Sequence, residues 1–346
     1  MTQLARALPA VLVMCAAPAA AQEDGYEPPR TAYGHPDLQG FWTNQSATDL
    51  TRPASVPLEV DAETAARLAA DDVWRTAENR EAAAQDLALD EAPPSGDATT
   101  ASFAFEPYNA FWLELGDSLA QVGGKYRTSW IVEPETGQIP MSEDGRARAA
   151  AVRARREYSY AEGGNYSDPE AAPLSERCLI GFSTTSGPVL LDAIYNSNYQ
   201  IVQTPDHVMI LIEMVHDARI VRLNAEHNDA AIKPWFGDSI GWWEGDTLVV
   251  ETTNIHPVHA SAGSIMFSED GVLTERFTRT ADDQILYAFE VDDPGFYSQT
   301  WRGEIPFRPS AGLYEYACHE GNYAMEGILR GSRLDEARAA GAGEGQ

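Results

Sequence analysis

Alternation of apolar and polar residues is the dominant pattern of this chain from residue 199 to residue 318. Runs with an apolar residue at every second position are typical of β-strands that bury one face. One strand is predicted within residues 36–44, where Gly40 stands two positions before Trp42. The later runs predict further strands at residues 199–203, 208–214, 219–223, 240–243, 247–252, 272–278, 285–291, 297–305 and 313–318.

Short turn sequences separate several of these strands. Residues 204–207 (TPDH), 244–246 (EGD) and 281–284 (ADDQ) contain the Gly, Pro and Asp residues that favour hairpin turns. Successive hairpins join antiparallel neighbours, and a large antiparallel sheet closes or folds over because open strand edges are prone to aggregation. The pattern therefore predicts a mainly β fold, an antiparallel barrel or sandwich, in one domain over residues 22–346.

Two stretches before these strands show helical spacing instead. Asp61 can cap a helix in which Ala65, Leu68 and Ala69 recur at helical intervals, and the alanine-rich continuation extends this helix to about residue 87. A second helix is predicted at 142–158. The β domain is thus expected to carry helical insertions, at about 61–87 and 142–158, near its N-terminal half.

The first 21 residues have the three parts of a secretory signal peptide. Arg6 precedes an apolar stretch at 7–17, and alanines at 19–21 match a cleavage site. An N-terminal membrane anchor is the alternative, but the apolar stretch is shorter than the roughly 20 residues of a spanning helix. No other segment is long and apolar enough to cross a bilayer. We predict a periplasmic or secreted protein with no membrane span in the mature chain.

The acidic composition argues against one class of partner. The chain has 53 acidic and 24 basic residues, which gives a formal net charge of −29. Such a charge repels phosphate backbones and anionic membrane surfaces, so we predict no nucleic-acid partner. Hydrophobic residues make up 44% of the chain, which is enough to build a sizeable core.

Cys178 and Cys318 are the only cysteines that remain after removal of the predicted signal peptide. Because exported proteins fold in an oxidising compartment, we predict a disulfide bond between them. Two buried free thiols are the alternative.

Glu213 is the first candidate catalytic residue. Alternation places it on one strand face with Met209, Leu211 and Val215, so its carboxylate would be desolvated and able to act as a general acid or base. His216 follows where the strand ends, and Arg219 would position an anionic group of the ligand. A salt bridge between Glu213 and Arg219 is the structural alternative.

Glu275 and His319 complete the candidate catalytic set. Glu275 shares a strand face with Leu273 and Phe277, so it repeats the pattern of an acid among apolar side chains. Its alternative role is an ion pair with an arginine such as Arg279. His319 follows Cys318, and a disulfide there would hold its imidazole in place. A purely structural role beside the disulfide is the alternative.

Binding residues and metal ligands are less clearly marked in the sequence. Trp243, Tyr316 and Asn322 are candidate ligand-binding residues, because aromatic rings at a barrel mouth can recognise a flat or cyclic ligand. Core packing is the alternative for the tryptophans. His216 and His319 with a glutamate would suit zinc or iron geometrically. His256 and His259 form another possible pair, but their proline-containing loop lacks the spacing of a known metal motif, and solvent exposure is the alternative for each. We assign no metal and no cofactor, and the sequence contains no convincing dinucleotide-binding, P-loop, nucleophile-elbow or HExxH motif.

Several blocks of the sequence together resemble a large family of exported bacterial proteins, most of which have no assigned activity. The likeness covers residues 36–44 and most of 120–331, and it implies no catalytic roles for individual residues. The blocks are GFW at 40–42, QIVQTP at 200–205, EMVHDAR at 213–219, WEGDTLVVETTN at 243–254, TERFTR at 274–279 and YACHEGNY at 316–323.

The GFW block at 40–42 also resembles the first strand of lipocalin and calycin barrels, in which a glycine stands two positions before a tryptophan. This resemblance implies a lipocalin-like or calycin-like barrel. The interior of such a barrel would be an apolar cup able to hold a small hydrophobic, aromatic or cyclic molecule.

Together these patterns predict an exported β-barrel that binds a small organic ligand. Glu213, His216, Glu275 and His319 would give it an acid/base lyase, isomerase or hydrolase activity. A non-catalytic periplasmic carrier of a hydrophobic compound is the principal alternative, and an exported interaction protein is the third. The sequence leaves the substrate and the oligomeric state open.

Overall fold

The computed structural model describes residues 25–70, 118–160, 177–181, 189–193, 195–260, 263–320 and 324–343, together with the single residues 114, 116, 172, 174, 175 and 187. The predicted signal peptide at 1–21 and the predicted helical residues 71–87 lie outside these ranges.

Nine of the described strands form one closed sheet, so the protein contains a β-barrel and the mainly β prediction is confirmed. The ring closes because the first of them pairs with the second on one side and with the last on the other. In ring order the strands are β1 (Gly40–Thr43), β6 (Asn198–Gln203), β7 (His207–Ile212), β8 (Ala218–Leu223), β9 (Asp238–Glu244), β10 (Thr247–Thr253), β11 (Val272–Ala281), β12 (Gln284–Asp292) and β13 (Trp301–Pro309).

Four short strands lie outside the ring. One of them pairs with β13, and the other three form a separate small sheet. They are β5 (Ile131–Glu133) on β13, and β2 (Glu59–Val60), β4 (Lys125–Arg127) and β3 (Gln121–Val122) in the small sheet.

The barrel differs from a purely antiparallel one at a single pair of neighbours. β8 and β9 run parallel, with Arg222 opposite Ile240 and Leu223 opposite Gly241. Parallel neighbours need a long connection that returns the chain to the end where the first strand began. Residues 224–237 supply this connection. The predicted hairpins are present elsewhere: the turn residues Gly245 and Asp246 join β9 to β10, and residues 282–283 join β11 to β12.

Two predicted strands need correction. Residues 313–318 are not a strand, because β1 and β13 already close the ring and the segment has no strand partner in the described chain. The strand predicted at 297–305 begins at Trp301. The preceding residues form a turn in which the Asp293 carbonyl accepts backbone hydrogen bonds from Phe296 and Tyr297.

The described helices include the first part of the helix predicted at 61–87, the helix predicted at 142–158 and two helices that were not predicted. Helix α1 (Ala62–Ala70) begins after Asp61, whose carboxylate accepts a 2.8 Å hydrogen bond from the Thr64 backbone N–H as an N-cap. Helix α2 (Glu143–Tyr160) matches the predicted helix at 142–158. The short helix α3 (Pro257–Ala260) and the C-terminal helix α4 (Ala324–Gly343) were not anticipated. None of the helices in the described ranges has both the length and the apolar character needed to cross a bilayer.

The middle of the barrel is filled with aromatic side chains. Tyr199, Phe277, Tyr287 and Phe307 are almost completely buried, and their ring centroids lie 5.0 to 6.4 Å apart in the contacting pairs. Small barrels commonly fill their interior in this way. The described residues therefore form a packed core where an open apolar cup was predicted.

Each end of the barrel has its own covering. Near one end, the rings of His35 and Trp243 stack with centroids 4.8 Å apart, and the buried Leu38 accepts a hydrogen bond from the Trp42 indole. The other end is where β7 ends and β8, β9 and β11 begin, and we call it the polar end. Buried residues of the segment 189–191 pack into the core at this end.

Candidate functional site

A buried ion pair between Arg219 and Glu275 is the centre of the polar end. Arg219 is the second residue of β8, and Glu275 is the fourth residue of β11. The two Nη atoms of Arg219 donate to the two carboxylate oxygens of Glu275 at 3.0 and 2.6 Å. Arg219 is 2% exposed and Glu275 is fully buried. The structural alternative for Glu275, an ion pair with an arginine, is therefore realised, but with Arg219 and not with Arg279.

Hydroxyl groups complete the surroundings of this ion pair. The Tyr287 hydroxyl donates to Glu275 Oε1 at 2.8 Å, and Arg219 Nη2 donates to Thr252 Oγ1 at 3.3 Å. Thr252 Oγ1 also lies 2.8 Å from Ser239 Oγ. These contacts satisfy most of the polar atoms that the pair brings into the core, as a buried charge pair requires.

The electrostatics of the ion pair favour its charged form. Burial lowers the pKa of Arg219, but the charge and hydrogen bonds of Glu275, together with Tyr287 and Tyr199, outweigh it and raise the pKa above its usual value, so the guanidinium stays protonated. Burial raises the pKa of Tyr287 well above its usual value, and the adjacent Glu275 carboxylate acts in the same direction. Tyr287 is therefore a neutral hydrogen-bond donor at physiological pH.

The segment 189–193 connects the ion pair to a second group of polar residues. The Leu190 backbone N–H donates to the Tyr287 hydroxyl at 3.2 Å, and the Leu190 carbonyl accepts a 2.8 Å hydrogen bond from Asn44. Asp192, two residues further on, accepts a 3.1 Å hydrogen bond from the Trp130 indole. Burial raises the pKa of Asp192 to about 7, although the Trp130 hydrogen bond opposes this shift. Its carboxyl group therefore titrates in the physiological range.

His259 of α3 is a further titratable side chain at the polar end. It is 4% exposed, and its Nε2 lies 2.5 Å from the Gly187 carbonyl oxygen. Burial lowers the pKa of His259, and the positive charge of Arg219 contributes to this shift. The imidazole is therefore neutral at physiological pH. Because a carbonyl only accepts hydrogen bonds, Nε2 carries the proton and Nδ1 has a free lone pair.

Two of the buried nitrogens at the polar end that have no hydrogen-bond partner within the described part of the chain lie near Gly187. They are Arg219 Nε and His259 Nδ1. Gly187 lies next to both side chains: its carbonyl meets His259, and a Cβ atom added to it would be 3.1 Å from Arg219 Nη1. Buried polar groups without a partner are uncommon in native proteins, and a ligand or water is one explanation for them.

Glu213 lies at the same end of the barrel but in separate contacts. It follows β7 and is 2% exposed. Its Oε1 accepts a 2.6 Å hydrogen bond from Asn196 Nδ2, and its Oε2 accepts a 3.2 Å hydrogen bond from the Tyr314 backbone. The predicted salt bridge to Arg219 is absent, and Glu213 instead fixes the segment around Tyr314 to the barrel.

The predicted strand face of Glu213 is wrong. The buried residues of β7 are Val208, Ile210 and Ile212, whereas Met209 and Leu211 are only half-buried on the opposite face. Glu213 is buried because the chain leaves the strand after Ile212 and enters a short 3₁₀ turn at Met214–His216. For Glu275 the predicted face is confirmed, since Leu273, Glu275 and Phe277 are all buried.

The candidate histidines do not join these carboxylates in the described structure. His216 and His319 are both exposed. No hydrogen bond or ion pair joins either imidazole to Glu213 or Glu275 within the described ranges. Nor does any group of three or more His, Cys, Asp or Glu side chains there have the arrangement of a metal site.

The predicted ligand-binding residues lie in different places. Arg219 lies in the ion pair at the polar end. Trp243 is half-buried and stacks on His35 near the opposite end. Tyr316 is half-buried and packs against the core, and burial raises the pKa of its hydroxyl. Asn322 lies outside the described residues.

Cys178 and Cys318 are close enough to form the predicted disulfide. Their sulfur atoms are 1.89 Å apart and their Cα atoms 5.9 Å apart, across a sequence separation of 140 residues. A bond at this position attaches the C-terminal segment to the segment that leads into residues 189–193. The alternative of two free thiols is not supported by this geometry.

His259, Tyr287 and Thr252 are the polar-end residues that sequence reasoning missed. Tyr287 and Thr252 alternate regularly within predicted strands, so their inward direction could have been inferred. For His259 the sequence favours a solvent-exposed position, with a metal ligand beside His256 as the other interpretation, and its burial shows that the exposed position is wrong. Its burial depends on how the loop after β10 folds back, for which the sequence gives no local signal.

Comparison with known proteins gives no family for this chain. No family model matches it, and no curated protein matches it significantly. The resemblance to exported bacterial proteins therefore stays a prediction.

Proposed function

We propose that the protein binds a small organic ligand at the polar end of the barrel, next to His259. The observation that supports this proposal is the free lone pair of His259 Nδ1, which lies on a 4% exposed side chain without a partner in the described chain. A hydroxyl or N–H group of a ligand would satisfy it.

The polarity of the site limits the ligand class. The neutral His259 offers an acceptor at Nδ1, whereas Arg219 offers a donor at Nε. A ligand that enters this cluster meets one acceptor and one donor. A hydroxyl group can serve either, whereas a carboxylate has no proton to donate to His259.

Aromatic rings near His259 favour a flat ligand. The ring of Phe236 meets the His259 imidazole edge to face, with centroids 5.3 Å apart. Trp235 packs on His256 at 4.2 Å. Both Trp235 and Phe236 are half-buried, so parts of their rings stay open to contact. We therefore infer a hydroxylated aromatic or cyclic ligand.

An acid/base activity is the second candidate function, and His259 is the residue that favours it. A neutral imidazole with a free Nδ1 can accept a proton from a bound substrate. His216 and His319, which the sequence offered for this role, are exposed. Glu275 is fully engaged with Arg219 and Tyr287, so it is better suited to holding Arg219 in place than to moving a proton.

Export is also part of the proposal. The first 21 residues read as a signal peptide, and the disulfide-forming distance between Cys178 and Cys318 suits an oxidising compartment. The combination corresponds to a periplasmic or secreted binding protein.

The binding proposal can be tested with a pair of flat probes, 2-naphthol and 2-methoxynaphthalene. The first can donate a hydrogen bond to His259 Nδ1, and the second cannot. We expect 2-naphthol to bind at least about tenfold more tightly in calorimetric titrations, since a site built to bind a hydroxyl group rejects the analogue that lacks it. The His259→Phe variant should lose this preference.

A matched control is the exposed His207, which lies at the start of β7. The His207→Phe variant should bind 2-naphthol as the unmodified protein does. Equal affinity for the two probes, or no saturable binding of either, would contradict the proposal. To separate catalysis from binding, turnover of hydroxylated aromatic compounds should be compared between the unmodified protein and His259→Phe.

A further inference from the structure

A groove on the outer face of the barrel is a second place where a small molecule can bind. Its volume is 270 Å³, and it lies over β11, β12 and β13, with β5 as one wall. This size is near the lower limit of ligand pockets and suits a fragment of one ring with a short substituent.

The shape of the groove follows from the residues on the outward faces of its strands. Thr274, Thr278, Leu286 and Ala288 line the groove on β11 and β12 with small or apolar side chains, which we call its floor. β5 pairs with only a short part of β13, where the register shifts between Arg302 and Gly303. Arg276 and Glu304, which lie opposite Ala288 on its two neighbouring strands, add longer charged side chains beside this floor.

Negative charge exceeds positive charge around the groove. Glu133, Glu244, Glu290 and Glu304 line it, against Arg276 and Arg302. The two arginines are already engaged by carboxylates of the same groove. Arg302 contacts Glu133 at 2.7 Å and Glu290 at 2.5 Å, and Arg276 lies 3.8 Å from Glu244.

Glu304 is the carboxylate with the least compensation from within the groove. Its cationic neighbour is Arg127, at 3.3 Å, which does not line the groove and which also pairs with Glu59. Burial raises the pKa of Glu304, and the nearby charges of Glu59 and Glu133 act in the same direction while Arg127 opposes them. A positive ligand group near Glu304 would relieve this repulsion.

From this geometry we infer that the groove binds a small organic amine, with its apolar part on the floor and its ammonium group beside Glu304. The net negative charge of the lining excludes anionic ligands of the same size. This site is independent of the polar end, because none of its lining residues belongs to the Arg219 cluster.

Three probes of similar shape test the proposal: benzylamine, benzyl alcohol and benzoate. Each probe is a benzene ring with one substituent, which is positively charged in benzylamine, neutral in benzyl alcohol and negatively charged in benzoate. Calorimetric titration should show saturable binding of benzylamine that is at least about tenfold tighter than that of benzyl alcohol, and no binding of benzoate. Added salt should weaken benzylamine binding, because the attraction is electrostatic.

Two variants locate the site. Ala288→Trp places a large ring over the floor and should abolish benzylamine binding. Glu304→Gln should weaken it at least about tenfold. The control is Glu269→Gln, which changes the total charge equally at an exposed position away from the groove. If Glu304→Gln fails to fold, Ala288→Trp decides the location alone.

Several outcomes would overturn the inference. Benzyl alcohol or benzoate binding as tightly as benzylamine would remove the role of charge. Equal effects of Glu304→Gln and Glu269→Gln would show general attraction to an acidic protein, and unchanged binding to Ala288→Trp would place the amine elsewhere. Displacement of benzylamine by 2-naphthol would show that the two proposed sites are one.

Discussion

Arg219 and Glu275 lie 56 residues apart in the sequence and form a two-point ion pair inside the barrel, with nitrogen–oxygen distances of 3.0 and 2.6 Å. The pair joins β8 to β11 across the interior, so it connects two strands that are not neighbours in the ring. Unlike the side chains of the surrounding aromatic core, each of the two charges would destabilise the folded protein if it were buried without the other.

Removing one partner of this ion pair should destabilise the protein strongly. Glu275→Leu and Arg219→Met each leave one charged group buried without compensation, and we expect a loss of about 3 to 5 kcal/mol in the free energy of unfolding. The double variant Arg219→Met/Glu275→Leu should be less destabilised than either single variant. Urea unfolding measures the free energy of unfolding of all three variants. Strictly additive losses would show that the two side chains do not depend on each other.

Asp192 should make the stability of the fold depend on pH. Its pKa is raised to about 7, so the folded protein retains a proton that the unfolded chain loses near its ordinary value of 3.8. Protonated Asp192 therefore makes its full contribution to the free energy of unfolding below pH 3.8, and this contribution is lost as the pH rises through about 7. Asp192→Asn keeps the acceptor for Trp130 and should be more stable than the unmodified protein at pH 8, by ~2 kcal/mol, with a much smaller difference at pH 4.

The control for this pH effect is Asp283→Asn, which changes an exposed carboxyl group in a hairpin turn. Thermal unfolding at a series of pH values compares the two variants. A constant difference between Asp192→Asn and the unmodified protein at all pH values would contradict the assignment.

Gly303 should not tolerate a side chain. A Cβ atom there would lie 2.2 Å from the ring of Phe289, its cross-strand partner in β12. Gly303→Ala is expected to cost about 1 to 3 kcal/mol, because the packed core has no room for the methyl group. Phe289→Leu should recover part of this loss in the double variant.

A helical glycine is the matched control. Gly327 of α4 has no neighbouring atom within 4 Å of an added Cβ, so Gly327→Ala should be neutral or slightly stabilising. Chemical denaturation distinguishes the two substitutions, and equal effects would show that the contact with Phe289 is unimportant.

The bond between Cys178 and Cys318 should stabilise the fold by lowering the conformational entropy of the unfolded chain. For a separation of 140 residues, the entropy of loop closure corresponds to roughly 4 to 5 kcal/mol as an upper value. The variant Cys178→Ser/Cys318→Ser should lose part of this stability and should be insensitive to reductant. Alkylation of the folded protein followed by mass spectrometry checks the bond, and labelling of either cysteine without reductant would refute it.

Local features of the barrel were readable from the sequence. The Gly245–Asp246 turn marks where β9 ends and β10 begins. The alternation in β10, β11 and β12 gives the inward direction of Glu275, because successive side chains of a strand point to opposite faces. Glu213 was misplaced because this rule stops where the strand stops. After Ile212 the chain turns, and Val215 and His216 adopt positive φ angles of 60° and 49°. No periodic pattern marks that point.

Contacts between distant elements were not readable in the same way. Alternation indicates that the side chains of Arg219 and Glu275 point into the barrel, but it does not show that they form an ion pair with each other. The burial of His259 depends on the path of the chain between β10 and β11. The alternation at 313–318 predicts a strand, yet alternation without a free neighbouring edge does not produce pairing.

A parallel pair such as β8 with β9 is required by the odd number of strands in the ring. In a ring with an odd number of members, directions cannot alternate all the way round, so at least one neighbouring pair must point the same way. With nine strands in the ring, that single exception falls between Leu223 and Asp238. An evolutionary loss or gain of one strand would have to abolish this exception or create another, so a change of one strand in the ring must also change the number of parallel pairs.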